Sequence, residues 1–585
     1  MNFSQLFRRK NVPDILREAE QGLADGHGGL RRTLGVRDLT FFGIAAVIGT
    51  GVFTAIGEAA FNGGPGVIFL FMFTAVACGF AAYCYAEFAS MVPISGSAYT
   101  YAYVAFGELF AWIIGWDLLM EYAIGNIAVA ISWSGYFVHV VEHLHIGSWH
   151  AHIPRWMTMD YFSARTGFNE VKDLFAHGKK ISDVDTAHMD CYHAWQYAPT
   201  LGPLRIIMNI PSLAIVALIT LIVYVGIRES RTANNIMVFI KIIIILLVIV
   251  AGAFFVDKTN WNQFTPHGLS GIMASVSAVF FAYIGFDAIS TTAEECKDPQ
   301  RDLPKAMFYT LFICTGLYIL LALVLTGMVH YSRLKVDDPL AFVFSAQGSW
   351  LADRISTIIS VSAIVVIASV LLVYQMGQPR IWMSMSRDGL LWKRFSNIHP
   401  RFKTPSFATV ITGLVVAIPS LFLNLDVVLK LTSIGTLFAF VLVCGGVLVL
   451  QRSKNRPESK FRTPFIPGKY LVPIGFIAGW ALAWWLNPDG FRQFFTVHSF
   501  EDFGNMIPML LFLGVATVVS VLSYLRNYSL IPVLGMISCF YLMTGESVVT
   551  WARFFIWLVL GLLLYFVYGF KHSKLGKSME PPVNG

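Results

Sequence analysis

The sequence predicts an all-α protein that crosses a membrane many times. Of its 585 residues, 56% are hydrophobic and 13% are charged, whereas a soluble domain has about 25% charged residues. The mean hydropathy is +0.63, and a water-soluble fold with this composition would retain a largely apolar surface. Disordered, fibrous and disulfide-framework proteins are excluded by the same composition.

Charge and cysteine usage exclude other classes of protein. The net charge is +7, but the basic residues lie in short loops between apolar runs, so no nucleic-acid partner is expected. The seven cysteines are scattered, without the spacing of a metal site or a disulfide framework. The first 36 residues contain no apolar h-region, and we therefore expect no cleavable signal peptide.

Fourteen apolar runs are predicted to form membrane helices, each of which needs about 20 mostly apolar residues. These runs, called spans 1 to 14 below, cover residues 38–58, 66–91, 104–141, 205–226, 232–256, 268–293, 305–330, 351–377, 405–423, 426–450, 470–487, 507–525, 529–545 and 551–570. Basic clusters at residues 8–10, 380–403 and 452–469 place these loops and both termini in the cytoplasm, because cytoplasmic loops are enriched in Lys and Arg.

The outer loop between spans 3 and 4 is long and rich in histidine. Eight of the 14 histidines lie there or at its start, namely His139, His143, His145, His150, His152, His177, His188 and His193. Histidine is a common metal ligand, but the loop contains no HExxH-type motif. We therefore expect a solvated polar cap and no metal site.

Spans 1 and 6 carry glycines near their middle. Span 1 contains Gly49-Thr50-Gly51 and span 6 contains Gly285, and glycine costs about 1 kcal/mol in a helix interior. Unwound backbone in a membrane must face protein or water. Free N–H groups in span 1 would therefore attract a carboxylate, and free carbonyls in span 6 would attract an ammonium group. Glycines that only allow close helix packing are the alternative, but interruptions at matching places in two halves are typical of a transporter site.

Lys241 is the most informative single residue. It lies about ten residues into span 5, roughly 15 Å along the helix, and a lysine near the bilayer centre costs about 3 kcal/mol on insertion scales. Snorkelling to the surface is the alternative, but the depth favours a functional group. Four acidic residues in nearby spans are candidate partners or proton relays: Glu87, Asp117, Glu121 and Asp287. We favour Glu121, and the others could equally serve structural pairing.

Five segments resemble the amino acid–polyamine–organocation (APC) superfamily, and in particular the cationic amino acid transporter family and its bacterial homologues. They are IGTGVF in span 1, residues 85–122 across spans 2 and 3, residues 280–304 at span 6, GQPRIWMSMSRDGLLW at 377–392, and residues 551–573. The resemblance implies an APC fold with a five-plus-five inverted repeat, broken helices 1 and 6, and four extra C-terminal helices. It also implies amino acid transport by alternating access and a bacterial inner (plasma) membrane location.

The resemblance also implies a division of the chain. The N-terminal segment 1–37 is cytoplasmic, the first repeat covers 38–256 with its extracytoplasmic loop at 142–204, and the second repeat covers 268–450. A cytoplasmic basic loop at 451–469, accessory spans at 470–571 and a cytoplasmic tail at 572–585 follow.

Site roles are carried over from the family residue by residue. Gly49, Thr50 and Gly51, with the adjoining Ile48, would bind the substrate carboxylate, and carbonyls around Phe281, Ala282 and Ile284 the ammonium. Phe286 resembles the aromatic gate. Lys241 matches the lysine that replaces a sodium ion in proton-coupled relatives, and Glu121 would handle protons near it, so no sodium and no other cofactor is expected. A small single-span subunit, as some relatives have, is compatible with the resemblance.

The predicted substrate departs from the family's name. The resemblance implies that the residue six positions before Arg380 lines the pocket for the substrate side chain. This residue is Tyr374, and its ring would shorten that pocket. We therefore expect proton-coupled symport of small to medium neutral L-amino acids, with a uniporter or exchanger for arginine and lysine as the alternative. A receptor, a channel or a membrane enzyme is disfavoured, because the chain contains no HExxH or GxSxG motif and no ring of like charges.

Overall fold

The computed structural model describes most of the chain. It covers residues 6–10, 34–92, 97–142, 145–146, 149–150, 153–177, 186–226, 231–402, 404–452, 459, 461–486 and 500–578. The predicted N-terminal segment 1–37, the basic loop 451–469 and the tail 572–585 therefore lie partly outside the described residues.

The described residues are predominantly helical, and the helices follow the apolar runs. The helices of spans 1 to 14 are, in order, Val36–Val47 with Gly51–Ala55 and Ile56–Gly63; Val67–Met91; Glu108–Glu142; Ile210–Val225; Arg231–Ala253; Gly268–Ala274 with Val276–Phe281 and Phe286–Glu295; Pro299–Met328; Trp350–Arg387; Ser406–Ser420; Leu425–Leu450; Leu471–Leu486; Phe500–Arg526; Leu530–Met543; and Val548–Leu564 with Tyr565–Gly569.

Most of these helices are long enough to cross a membrane. Among the described residues, eight are long and apolar enough, or nine if the bent pair in span 6 counts as one crossing, and four more apolar helices are shorter. The second part of span 1 and the whole of span 2 count as one stretch, 51–91, in this comparison. The protein is therefore a multi-pass membrane protein, while the number of fourteen crossings stays a prediction.

Apolar side chains on the outside of the bundle fit a lipid environment. Phe254 in the turn after span 5 is 85% exposed and Phe312 in span 7 is 82% exposed. Such large exposed apolar residues are expected where lipid rather than water covers a helix.

Span 3 packs against span 8 and against span 10. A buried polar chain joins three of the spans. Asn126 Nδ2 donates to Gln375 Oε1 over 2.9 Å, and Gln375 Nε2 donates to Thr220 Oγ1 over 2.7 Å. Since buried amides need partners, this chain fixes the rotation of span 8 beside Tyr374.

Span 14 is attached to the first half of span 3. The indole N–H of Trp112 donates to the Gly561 carbonyl over 2.8 Å, and Trp116 stacks on Trp557 with 4.5 Å between ring centroids. The buried carboxylate of Glu108 accepts from the Tyr565 hydroxyl over 2.9 Å. The accessory part of the chain is thus packed against the core.

The histidine-rich loop contains a small helical cap. Helices Tyr161–Ala176 and Thr186–Tyr197 pack against each other, and two-stranded hairpins pair His145–Ile146 with Trp149–His150 and Thr200–Leu201 with Leu204–Arg205. Arg155 joins the cap to span 3, because its guanidinium lies 3.0 Å from Glu142 and 2.9 Å from Asp190. No group of three metal-ligating side chains occurs within the described residues; the side chains of His143, His145, His150 and His152 are outside them.

Candidate functional site

Span 1 is interrupted at the predicted glycines. The first helix ends at Val47, Ile48 is extended, and a π-helical turn at Gly51–Ala55 leads into the second helix. In a continuous α-helix the carbonyls of Ala45 and Val47 would accept from residues four positions later. Here they accept from side chains of other spans. The Ala45 carbonyl accepts from Lys241 Nζ over 2.8 Å, and the Val47 carbonyl accepts from the Tyr318 hydroxyl over 3.2 Å.

Lys241 is therefore a structural partner of the interruption in span 1. Its side chain is buried, with 1% of the residue exposed, so it does not reach the surface by snorkelling. A buried ammonium requires acceptors, and the Ala45 carbonyl supplies one of them. The position of this acceptor depends on the shape of span 1, because the Ala45 carbonyl lies at the end of its first helix.

The interruption also leaves backbone donors. Within the described residues, the N–H groups of Gly49, Thr50 and Gly51 donate to no backbone carbonyl outside a regular helix, while the Gly49 carbonyl accepts from Val52 and Phe53 at 3.1 Å each. A set of N–H groups at the start of a helix, with the helix dipole behind it, favours an anion.

Span 6 is interrupted between Ala282 and Gly285. Its α-helical part ends at Phe281, and a 3₁₀-helix begins at Phe286. Gly285 has a φ of +114°, a conformation that side-chain-bearing residues rarely adopt. Within the described residues, the carbonyls of Phe281, Ala282 and Ile284 accept no backbone N–H across this break, which leaves acceptors for a cation.

The two interruptions touch. A Cβ on Gly51 would lie 2.4 Å from the Ala282 Cα, and a Cβ on Gly285 would lie 3.0 Å from the Ala46 carbonyl group. The backbones of spans 1 and 6 are therefore in direct contact at their two interruptions.

We expect Gly51→Val to destabilise the protein, because the new side chain would collide with the backbone of Ala282. Overpacking of this kind costs about 1–3 kcal/mol. Thermal unfolding in detergent, followed by size-exclusion chromatography, measures the effect. Gly79→Val in span 2 is the matched control, since a Cβ there has no neighbour within 4 Å. Equal melting of the two variants would show that spans 1 and 6 are not in contact.

A cavity lies beside the two interruptions. The cavity has a volume of about 20 Å³ and lies between four spans. Its lining residues are Ala46, Glu121, Tyr122, Ile284, Gly285, Asp287, Ala288, Val370, Val373 and Tyr374. The rings of Tyr122 and Tyr374 meet edge to face with centroids 5.5 Å apart. They form an aromatic wall on the side formed by spans 3 and 8.

The two carboxyl groups of the cavity have different surroundings. Asp287 hydrogen-bonds to backbone groups at Gly285, Asp287 and Ala288, so it caps the 3₁₀-helix that begins beside it. Glu121 hydrogen-bonds to Thr436, but its Oε2 is buried without a hydrogen-bond partner among the described residues. Of the two carboxyl groups, Glu121 is therefore the one with an oxygen that has no hydrogen-bond partner among the described residues.

Two of the other acidic candidates lie away from the cavity. Glu87 accepts from the Thr463 backbone N–H over 3.1 Å, which fits a structural role beside the loop between spans 10 and 11. Asp117 lies one helical turn before Glu121, and neither of its buried carboxyl oxygens has a hydrogen-bond partner among the described residues.

Some of the predicted site residues line the cavity, and others lie outside its lining. Glu121, Ile284 and Tyr374 line it, and Gly49 packs on Val370, with a Cβ that would lie 3.2 Å away. Ile48, Thr50, Phe281 and Ala282 are buried around the interruptions. Phe286 lies in an aromatic cluster with Tyr85 and Phe440, at centroid distances of 6.2 and 5.2 Å.

Sequence reasoning missed Tyr122 and Tyr318. Tyr122 directly follows Glu121, which was predicted, but the register that turns it to the cavity is set by packing. Tyr318 lies in span 7, and only its bond to the Val47 carbonyl reveals its role.

The comparison with known proteins decides the family. Residues 34–488 match the amino acid permease family, and residues 528–573 match the C-terminal part of that family. The chain belongs to the amino acid permease family. It is a transporter of that family and not an enzyme.

Curated relatives of this permease match over nearly its whole length. It is 35% identical to the branched-chain amino acid permease BcaP of Bacillus subtilis, over 98% of this chain and 99% of that protein. It is 36% identical to the methylthioribose transporter of Bacillus subtilis, over 98% of this chain and 100% of that protein. With the cationic amino acid transporter 4 of Homo sapiens it shares 31% identity, over 95% of this chain and 90% of that protein.

Proposed function

We propose that this permease takes up small to medium neutral L-amino acids together with protons, by alternating access. The observation that carries the proposal is the bond from Lys241 Nζ to the Ala45 carbonyl at the interruption of span 1. The Lys241 ammonium supplies a positive charge at this place, and deprotonation removes it. Binding or release of one proton can therefore change the conformation of the backbone that binds substrate. A sodium ion is not needed for that change.

The proposed binding mode follows from the two interruptions. The substrate carboxylate is bound by the N–H groups of Gly49, Thr50 and Gly51 beside Ile48, and the ammonium by the carbonyls of Phe281, Ala282 and Ile284. Phe286 acts as the gate of the site, and Tyr374 limits the length of the side chain. Glu121, beside the cavity, exchanges the proton.

The proposed architecture is a five-plus-five inverted repeat with four accessory spans. Residues 38–256 form the first repeat and residues 268–450 the second, so that spans 1 and 6 are equivalent and broken. Both termini lie in the cytoplasm and the protein resides in the plasma (inner) membrane, as the basic clusters of the inner loops suggest. The amino acid and the surrounding lipid are the partners proposed, and a small single-span subunit remains compatible with the family.

One observation favours a second candidate, a uniporter or exchanger for arginine and lysine. Glu121 and Asp287 both line the cavity. Glu121 Oε2 has no hydrogen-bond partner among the described residues, so it could accept from a guanidinium or ammonium group. A relative from Homo sapiens is named a cationic amino acid transporter. The two candidates differ in whether Tyr374 leaves room for a long side chain.

Uptake of radiolabelled alanine into proteoliposomes tests the proposal. An inward proton gradient is expected to raise the initial uptake at least about fivefold over equal pH, which corresponds to about 1 kcal/mol of coupling. Replacing sodium by potassium in both compartments should leave uptake unchanged. Excess arginine is the competitor that separates the two candidates, because it should compete poorly if the neutral-substrate proposal holds. Uptake that requires sodium or ignores the proton gradient would contradict the proton coupling.

A further inference from the structure

A groove lies on the surface of the molecule, where the chain passes from span 8 to span 9. Its volume is about 460 Å³, and its lining residues are Trp392, Lys393, Arg394, Phe395 and Phe407. None of them lines the cavity beside the two interruptions. Ligand sites in proteins have volumes of about 300–1,000 Å³, so this groove is large enough for a small molecule or for the headgroup of a lipid.

The floor of the groove is apolar and is held by aromatic contacts. Between the helices of spans 8 and 9, a 3₁₀-turn covers Lys393–Ser396, and Phe395 is the buried residue of this turn. Its ring stacks on Trp382 of span 8 with 4.6 Å between centroids, and it meets Phe407 of span 9 edge to face at 5.0 Å. The turn is therefore packed against both spans.

Two cations lie at the rim of the groove. Lys393 and Arg394 are exposed and adjacent in the turn, and neither forms an ion pair with an acidic side chain among the described residues. Lysine and arginine are the side chains that bind phosphate groups in proteins. Trp392, which precedes them, is half exposed, and tryptophan is enriched at the boundary between membrane and water.

The groove continues into an apolar face of span 9. Phe407, Val410 and Leu414 are exposed, and their spacing of three and four residues places them on one face of the helix. Phe407 belongs both to this face and to the groove. A molecule whose charged end lies at Lys393 and Arg394 would therefore have its apolar end along span 9, on the side that faces lipid.

We propose that this groove binds an anionic phospholipid. The phosphate of the headgroup contacts Lys393 and Arg394, the glycerol region lies on the aromatic floor, and an acyl chain follows the exposed face of span 9. Basic pockets beside membrane helices bind anionic headgroups in this way. A soluble anion would satisfy the two cations but would leave the apolar floor and the face of span 9 uncovered. The site is independent of the transported substrate and of the coupling ion.

Quenching of tryptophan fluorescence by brominated lipids tests the proposal on the full-length permease in nanodiscs. Phosphatidylcholine nanodiscs receive increasing fractions of either brominated phosphatidylglycerol or brominated phosphatidylcholine. The difference between the wild type and Trp392→Phe isolates the signal of Trp392 from that of the other tryptophans. We expect the apparent affinity at Trp392 to be about tenfold higher for phosphatidylglycerol, which corresponds to about 1.4 kcal/mol.

Two double variants show whether the groove or the general surface charge attracts the lipid. In Lys393→Gln/Arg394→Gln, the preference for phosphatidylglycerol should fall below about twofold. Arg301→Gln/Lys305→Gln is the matched control, because these are two exposed cations near the start of span 7 that do not line the groove. The control should keep the wild-type preference, and size-exclusion chromatography should show that both variants are folded.

Native mass spectrometry provides a second measurement, which does not depend on Trp392. The wild type, released from detergent after purification from nanodiscs that contain phosphatidylglycerol, should retain this lipid. Lys393→Gln/Arg394→Gln should lose it, and Arg301→Gln/Lys305→Gln should retain it.

Three results would overturn the proposal: equal quenching of wild-type Trp392 by the two lipids, an equal loss of preference in the two double variants, or unchanged lipid retention in Lys393→Gln/Arg394→Gln. Displacement of the lipid by inorganic phosphate, but not by chloride at the same ionic strength, would indicate a site for soluble anions and would also overturn it. None of these measurements involves uptake, so such a failure would leave the proposed symport standing.

Discussion

Replacing Lys241 by Met is expected to reduce amino acid uptake at least about tenfold, and as much as about 100-fold, because a charged hydrogen bond contributes about 1.5–3 kcal/mol. The bond lost is the one from Lys241 Nζ to the Ala45 carbonyl, 2.8 Å long and fully buried. Met keeps the length of the side chain without the charge, so the Ala45 carbonyl is left without this donor. Initial uptake in proteoliposomes, normalised to inserted protein, is the measurement.

The control for Lys241 lies on the same helix. Ile243 is 47% exposed on the outside of span 5, and Ile243→Ala should leave uptake close to that of the wild type. The Lys241→Met variant should also elute from size-exclusion chromatography as a single folded species. Uptake that survives in Lys241→Met with an unchanged pH dependence would mean that Lys241 is only structural.

Replacing Tyr374 by Ser is expected to shift the preference of the permease toward long, cationic side chains. The Tyr374 ring closes the cavity together with Tyr122, and its removal would open space beside the free carboxylate oxygen of Glu121. We expect the ratio of arginine to alanine uptake to rise about tenfold or more, because a change of one or two groups in a substrate pocket alters the discrimination between substrates by about this factor. Competition between the two labelled amino acids gives this ratio.

Two further variants of span 8 make the Tyr374 experiment specific. Tyr374→Phe keeps the ring and should keep the wild-type preference. Val365→Ala is the control on the same helix, because the Val365 side chain is 44% exposed. A Tyr374→Ser protein that still prefers alanine would show that the ring does not limit the substrate. Strong arginine uptake by the wild type would instead favour the cationic alternative.

The fold class and the family could be predicted from the sequence, because both depend on local properties. An apolar run of about 20 residues becomes a helix in a membrane whatever its neighbours are, since its backbone must satisfy its own hydrogen bonds. The paired glycines likewise predicted the places where spans 1 and 6 are interrupted. The number of crossings does not follow from the apolar runs alone, because the structure joins the second part of span 1 to span 2 in one stretch.

The partners of the buried polar groups could not be predicted in this way. The depth of Lys241 in span 5 followed from its position in the run, but the carbonyl that it contacts belongs to a residue 196 positions earlier. The sequence favoured Glu121 over Asp287, but it did not show that both line one cavity or that Glu121 Oε2 has no hydrogen-bond partner among the described residues.

The sequence by itself determined that this protein is a membrane-spanning transporter in which glycines interrupt spans 1 and 6 and a lysine, Lys241, lies deep in span 5. Only the tertiary structure decided that Gly51 rests on Ala282 and that Tyr374 and Glu121 share one cavity. The physical reason is that helix formation in a membrane depends on the composition of a short segment. Contacts between side chains depend instead on how helices distant in sequence rotate and pack against each other.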